Sequence, residues 1–245
     1  MDNVVPVILI RNEEFWLPFT LEATRGRFNR YVVYDVGSED RTRSILTWFM
    51  NSNPGVDFRY RALPFCEPAI QGTFRNAIIA EAESDHYFML DGDEYYPASA
   101  MDEIKRGMST FIDSGKMFGM VRRLEVTNDL TQVHGRNEYV EHTRIYPRTA
   151  TWIGPHPGED SRIEQTKSRK YFFDGAAHCF HFHQPSRSSR DKEVPGREGR
   201  RYKPTYIRGN LTPFNILEEI PLMRAPIRDF PINPYLEALQ RGRSN

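Results

Sequence analysis

His86-Tyr87-Phe88-Met89-Leu90-Asp91-Gly92-Asp93-Glu94 sets carboxylates directly behind a short apolar and aromatic run. The run predicts a buried strand over 86–90 that ends at Asp91. A parallel sheet gathers ligands at the carboxyl ends of its strands, so the nature of the flanking elements matters. Upstream, Gln71 to Glu83 reads as an amphipathic helix. Before it, Asn53-Pro54-Gly55 makes a turn and Val56 to Leu63 a third strand. Earlier still, Arg30 to Asp35 is a second strand, broken by Gly37 and Ser38. Ser38-Glu39-Asp40-Arg41 then opens a helix with acids in its first turn, leading into Ile45, Leu46 and Phe49. Val4 to Ile10 is a continuous apolar run with Pro6 near its start, and Glu13 to Thr24 has helical periodicity. This β-α alternation predicts an α/β fold, a mainly parallel sheet covered by helices on both faces.

Downstream the pattern changes. Met117 to Val126 and Arg144 to Trp152 read as strands of a mixed or antiparallel extension, and Phe172 to Phe182 as a further one. From Pro185 the chain turns polar and basic; residues 161–210 hold 12 Lys/Arg against 5 Asp/Glu, and prolines punctuate the remainder. The organisation expected is one domain over 1–184, in two halves, 1–100 and 101–184. Residues 185–245 form a basic helical and loop extension packed on the same domain. No internal repeat or low-complexity tract is present.

The chain has 245 residues, with 33 basic and 33 acidic side chains. That balance offers no global field for nucleic acid or an anionic membrane. No apolar run reaches the ~18 residues of a membrane span. The amino terminus lacks the charged start and apolar stretch of a secretion signal. The two cysteines, Cys66 and Cys179, cannot build a disulfide framework. A cytoplasmic protein is expected on these grounds.

Asp91 and Asp93 stand one residue apart where hard dications such as Mg²⁺ or Mn²⁺ find oxygen ligands, usually alongside substrate phosphates. Gly92 lets the backbone turn between them. The plain alternative is a solvated acidic turn. A calcium loop of the helix-loop-helix kind fits poorly, because Tyr96 stands where that loop needs glycine and Asp102 where it prefers glutamate. Asp35 ends the second strand and can accept hydrogen bonds from a base or ribose, or simply close a turn. Arg75, in Phe74-Arg75-Asn76, can meet a phosphate or a base carbonyl, or pair with a surface acid.

Ile10-Arg11-Asn12-Glu13-Glu14, Tyr34-Asp35-Val36-Gly37-Ser38-Glu39-Asp40-Arg41-Thr42, Phe74-Arg75-Asn76 and Met89-Leu90-Asp91-Gly92-Asp93-Glu94 occur in this order, each at a strand–helix junction. Together they resemble family 2 glycosyltransferases of the GT-A (Rossmann-like) fold, over about residues 4–100. That family usually has threonine at the place of Glu39 and often a second aspartate at the place of Val36. The resemblance implies a glycosyltransferase that moves a sugar from a nucleoside-diphosphate sugar, a UDP-sugar foremost, to a hydroxyl acceptor. It implies that Asp35 contacts the base, that Arg11 and Arg75 line the nucleotide pocket, and that Asp91 faces ribose and metal. Asp93 would ligate Mn²⁺ or Mg²⁺.

Two later clusters extend the resemblance. Trp152-Ile153-Gly154-Pro155-His156-Pro157-Gly158-Glu159-Asp160 is similar to the acceptor-side segment, where a carboxylate serves as general base. Glu159 and Asp160 are the catalytic candidates, and His156 matches a histidine of a subset, placed here with the nucleotide. In His178-Cys179-Phe180-His181-Phe182-His183, alternation puts His181 and His183 on one strand face. His181 followed by Ser186 matches the subset's metal histidine, with His183 as the alternative. A closed zinc site lacks a second Cys/His pair nearby. The basic run from Arg187 onward is a solvated face or a lid over donor phosphates. An inverting transfer is favoured, with a retaining one as alternative. A nucleotidyltransferase would want a glycine-rich loop after the first strand, which Arg11-Asn12-Glu13-Glu14 is not. A non-catalytic nucleotide-sugar binder is the remaining reading.

Overall fold

The computed structural model describes residues 1, 3–65, 67–135, 141–153, 160–161, 166–183, 185, 187–190 and 211–224; of 68, 160 and 161 it describes the backbone alone. The first half runs β1 (Val4–Ile10), α1 (Leu17–Thr24), β2 (Arg30–Val36), α2 (Thr42–Asn51), β3 (Asp57–Leu63), α3 (Gln71–Ala82) and β4 (His86–Met89). β1 pairs in parallel with β2 on one side and β4 on the other, and β2 pairs in parallel with β3. The chain thus builds outward from β1 through β2 to β3, then returns to the other side of β1. The strand order reverses between β1 and β4, and the crevice at such a reversal is where open α/β sheets bind ligands.

β1 is buried on both faces, which explains its unbroken apolar character. Ile8 and Ile10 face a core with Leu17, Leu21, Ile45, Leu46 and Phe49. Val5 and Val7 face the opposite core with Ile78, Ile79, Tyr87 and Trp152. α1 begins at Leu17, later than the expected Glu13. The reason is local: the Glu13 amide donates to the Thr42 hydroxyl at 2.8 Å, tying this turn to α2 rather than to a helix of its own.

The second half contains β5 (Glu94–Tyr95), α4 (Ala98–Asp113), β6 (Phe118–Val126), β7 (Gln132–His134), β8 (Glu141–Pro147), β9 (Trp152–Ile153), β10 (Asp160–Ser161), β11 (Lys170–Phe172), β12 (His178–His181), β13 (Leu211–Pro213) and α5 (Ile216–Glu219). β8 pairs antiparallel with β4 and with β6, giving the expected mixed sheet. The single strand expected over 144–152 is two: Pro147 closes β8, and a turn with Ala150 N donating to Pro147 O leads to β9. The strand expected over 172–182 is also two, β11 and β12, each parallel to β6 and separated by a turn that Ala177 N closes on Asp174 O. α4 carries Met101, Ile104, Met108 and Phe111 at helical spacing, and all four are buried. α5 adds Ile216 and Leu217 to a third cluster with Trp16, Phe180 and Phe182. Among the described residues no helix is long and apolar enough to cross a membrane.

Candidate functional site

The crevice is built from the turns after β1, β2 and β4. The first two are laced together by short polar side chains. Asn12, in a left-handed conformation (φ 53°), accepts the Glu39 amide on its side-chain oxygen at 2.8 Å, and its own amide donates to Ser38 Oγ at 3.0 Å. The Glu14 amide donates to Asp40 at 3.3 Å, and the Arg41 amide returns to Glu14 at 3.2 Å. The Asn-Glu-Glu and Asp-x-Gly-Ser-x-Asp segments therefore form one cross-bonded rim. Gly37 (φ +84°) is required there, since a Cβ would lie 2.8 Å from the Phe65 backbone.

Asp35 is fully buried at the end of β2. It accepts the Ser38 amide at 2.8 Å, Arg43 Nε at 2.8 Å and the Tyr60 hydroxyl at 3.4 Å. Arg11 donates to Gly37 O at 3.2 Å and stacks 4.3 Å from the ring centre of Phe65, which is 51% exposed. Arg11, Asp35 and Phe65 thus share the rim where β1, β2 and β3 end.

Arg75 and Asn76, on α3, turn toward the second half. Arg75 lies over the Trp152 ring at 5.0 Å. The Asn76 amide donates to Trp152 O at 3.0 Å and accepts from Trp152 N at 2.7 Å. This side chain therefore pairs with β9 as another strand would. β9 leads directly into residues 154–159, so His156 and Glu159 lie outside the described residues. Asp160 opens β10, opposite Ile153.

The acidic turn after β4 is a buried charge network. Asp93 and Glu94 are buried, and glycine is needed at position 92 just before them: a Cβ there would sit 2.8 Å from Ile10 and 3.0 Å from Glu13. Asp91 accepts Arg144 Nη2 at 2.9 Å, and the same guanidinium binds Glu94 and donates to Met89 O. Burial opposes ionisation of Asp91, but Arg144 and then Arg75 hold its carboxyl below the ordinary range. Burial also opposes the charge on Asp93, yet Arg187, His181 and His183 keep it low.

His181 and His183 both face Asp93. One donor atom from each of the three lies within 4.8 Å of the others. β12 ends at His181, yet the His183 ring beyond it stacks 5.3 Å away. His181 Nε2 is 3.7 Å from Asp93 Oδ1, while its Nδ1 meets the half-buried carboxylate of Glu125 at 2.9 Å. Burial opposes its protonation, but Glu125 and Asp93 raise it to about 9; burial and then His181 push His183 down to about 4. One carboxylate and two imidazoles suit a transition-metal dication such as Mn²⁺, and the carboxylate behind His181 orients its ligating nitrogen. The residues fit the expected ion. Asp91 stands outside this donor set, held by Arg144 instead. In a second grouping, Glu94, His142 and Cys179, two of the three donors already face a guanidinium: Arg144 binds Glu94 and lies 3.5 Å from His142 Nδ1.

Sequence reasoning missed Arg144, Glu125 and the anchoring role of Arg187. Arg187 bridges Asp93 at 3.0 Å and Glu13 at 2.5 Å. Ser188 donates to Asp40 at 2.5 Å, and the Ser189 amide to Glu14 at 2.8 Å. Nothing in the local pattern around these residues distinguishes them from surface charges; only the folded chain brings them together.

No protein-family model and no curated protein matches this chain. Among solved structures, S. aureus TarS 1-349 in complex with UDP-GlcNAc is similar with a TM-score of 0.50 at 16% identity, over 72% of this chain and 57% of that one. The mannosyltransferase PcManGT from Pyrobaculum calidifontis, in complex with GDP-Man and Mn²⁺, is similar with a TM-score of 0.53 at 12% identity, over 76% and 58%. The chain spans little more than half the length of either structure. At these identities the likeness is one of fold, and the fold is the GT-A type seen in glycosyltransferases.

Proposed function

We propose that this protein is a glycosyltransferase that moves a sugar from a nucleoside-diphosphate sugar, a UDP-sugar in the first instance, to a hydroxyl acceptor with inversion, using a divalent metal. The observation that carries the reading is the meeting of Asp93, His181 and His183 at the β1/β4 reversal of a GT-A fold. Asp93, His181 and His183 would hold Mn²⁺ or Mg²⁺, which supplies charge stabilisation for the departing nucleoside diphosphate. Asp91, kept ionised by Arg144, faces the ribose. Arg11 and Asp35 would bound the base pocket beside Phe65, and Arg75 would line the nucleotide pocket with them. Glu159 or Asp160 acts as general base on the acceptor hydroxyl, in the segment that Asn76 anchors through β9.

The test is calorimetric titration of UDP and GDP into the protein with Mn²⁺ and with EDTA. Binding of one nucleotide only with Mn²⁺ supports the reading and names the base. Metal-dependent hydrolysis of the matching sugar nucleotide then separates an enzyme from a binding protein. Nucleotide binding unaffected by EDTA refutes the metal requirement.

A further inference from the structure

Asp93 presents its two oxygens to different partners. Oδ1 faces His181 Nε2 at 3.7 Å, while Oδ2 accepts Arg187 Nη1 at 3.0 Å. Arg187 is held by contacts of both its side chain and its backbone. The same nitrogen meets Glu13 at 2.5 Å, and the Arg187 carbonyl accepts the Phe15 amide at 3.0 Å. The next two residues are tied to Asp40 and Glu14. Ser188 is buried, and only 12% of the Arg187 side chain is exposed. These anchors come from both rim segments, so the guanidinium is a fixture of the site.

A carboxylate with one oxygen engaged by a fixed guanidinium has one oxygen left for a cation. Mg²⁺ and Mn²⁺ accept a single carboxylate oxygen within a compact shell. Calcium takes more oxygens at longer range and gains from bidentate carboxylates. We infer that Arg187 is a specificity-determining residue: by occupying Asp93 Oδ2 it confines Asp93 to one-oxygen coordination and discriminates against calcium. This rests on the reading of Asp93 as a metal ligand. The role differs from plain charge repulsion, because repulsion weakens all dications alike.

The experiment measures Mn²⁺ and Ca²⁺ dissociation constants of the full chain, without nucleotide, for wild type and Arg187→Met. Loss of the positive charge tightens both ions. The expected signature is a fall of about tenfold or more in the ratio of calcium to manganese dissociation constants. Arg187→Lys keeps the charge but places a flexible ammonium between Glu13 and Asp93. It is expected to lower the ratio while leaving Mn²⁺ affinity within about threefold, and it serves where the methionine variant does not fold. An equal shift for both ions in Arg187→Met, or a wild-type ratio in Arg187→Lys, overturns the inference and leaves the metal site standing. Absence of Mn²⁺ binding in the wild type overturns both.

Discussion

Replacing Asn76 by alanine removes two hydrogen bonds to one backbone residue, Trp152, at 2.7 and 3.0 Å. A typical intramolecular bond contributes about 1 kcal/mol net, and an amide left without a partner costs more when it is shut away from water. Asn76 is half-buried, so water reaches part of the vacated site. The expected loss is therefore about 1–2 kcal/mol, near the sum of the two bonds. For a domain of this size that corresponds to a drop in Tm of roughly 2–8 °C. The local effect should exceed the global one. β9 has only two residues, and its other ladder partner is the equally short β10. Without Asn76 the Trp152 amide should exchange with solvent faster than amides of β1 or β2, and to a greater degree than the global loss explains. On the role proposed for Glu159 in the segment after β9, KM for the acceptor should rise while nucleotide affinity changes less than threefold. The assay is hydrogen exchange read by mass spectrometry on peptides spanning 148–153, with thermal unfolding alongside. Unchanged exchange at Trp152 with a normal Tm refutes the anchoring role.

Asp93→Asn keeps shape but removes the charge that His181 and His183 face; Mn²⁺ binding measured by calorimetry should fall at least about a hundredfold, with secondary structure unchanged by circular dichroism. Gly92→Ala should cost about 1–3 kcal/mol in denaturant unfolding, because the new methyl meets Ile10 at 2.8 Å and Glu13 at 3.0 Å, and it should impair metal binding as well. His86 gives a pH signature. Burial lowers its pKa in the folded state, so the unfolded chain takes up the proton first as pH falls. Its contribution to stability is therefore complete above the unfolded value of about 6.5 and is lost below it. His86→Phe, packed against Phe111, should show a smaller loss of stability than wild type between pH 7 and pH 5 in urea titrations.

The fold was legible where burial imposes a simple pattern. β1, buried on both faces, is an unbroken apolar run, and β4 is a short one cut off by Asp91. Their parallel pairing follows from the β-α alternation, whereas their adjacency is seen only in the assembled sheet. The interior of the second half was harder to read. After β11, the chain leaves β6 and β12 rejoins it only because a turn at Asp174 brings it back, and no periodicity signals that return. Within the site, Asp93 and His181 were legible from their motifs. Arg144 was not, because a buried arginine in a strand looks like any half-exposed one until its partners, Asp91 and Glu94, are brought in from 50 residues away. Asn76 was legible as a motif residue, but its partner is backbone, which carries no mark in a sequence. Arg187 sat in a basic run where every member looks alike.

The placement of β1 also bears on how the chain comes into being. Val4 pairs with His86, so the central strand of the sheet is made long before its partner on that side. At 5–20 residues per second, roughly 4–16 s of synthesis separate the two. Through that interval β1, β2 and β3 can assemble as a small parallel sheet, while the edge of β1 that will receive β4 stays open. An apolar edge with unpaired amides is the surface that recruits foreign strands. The β1 edge is thus the exposed face of the nascent sheet, and slowing translation between residues 63 and 86 should raise aggregation more than slowing it after residue 90.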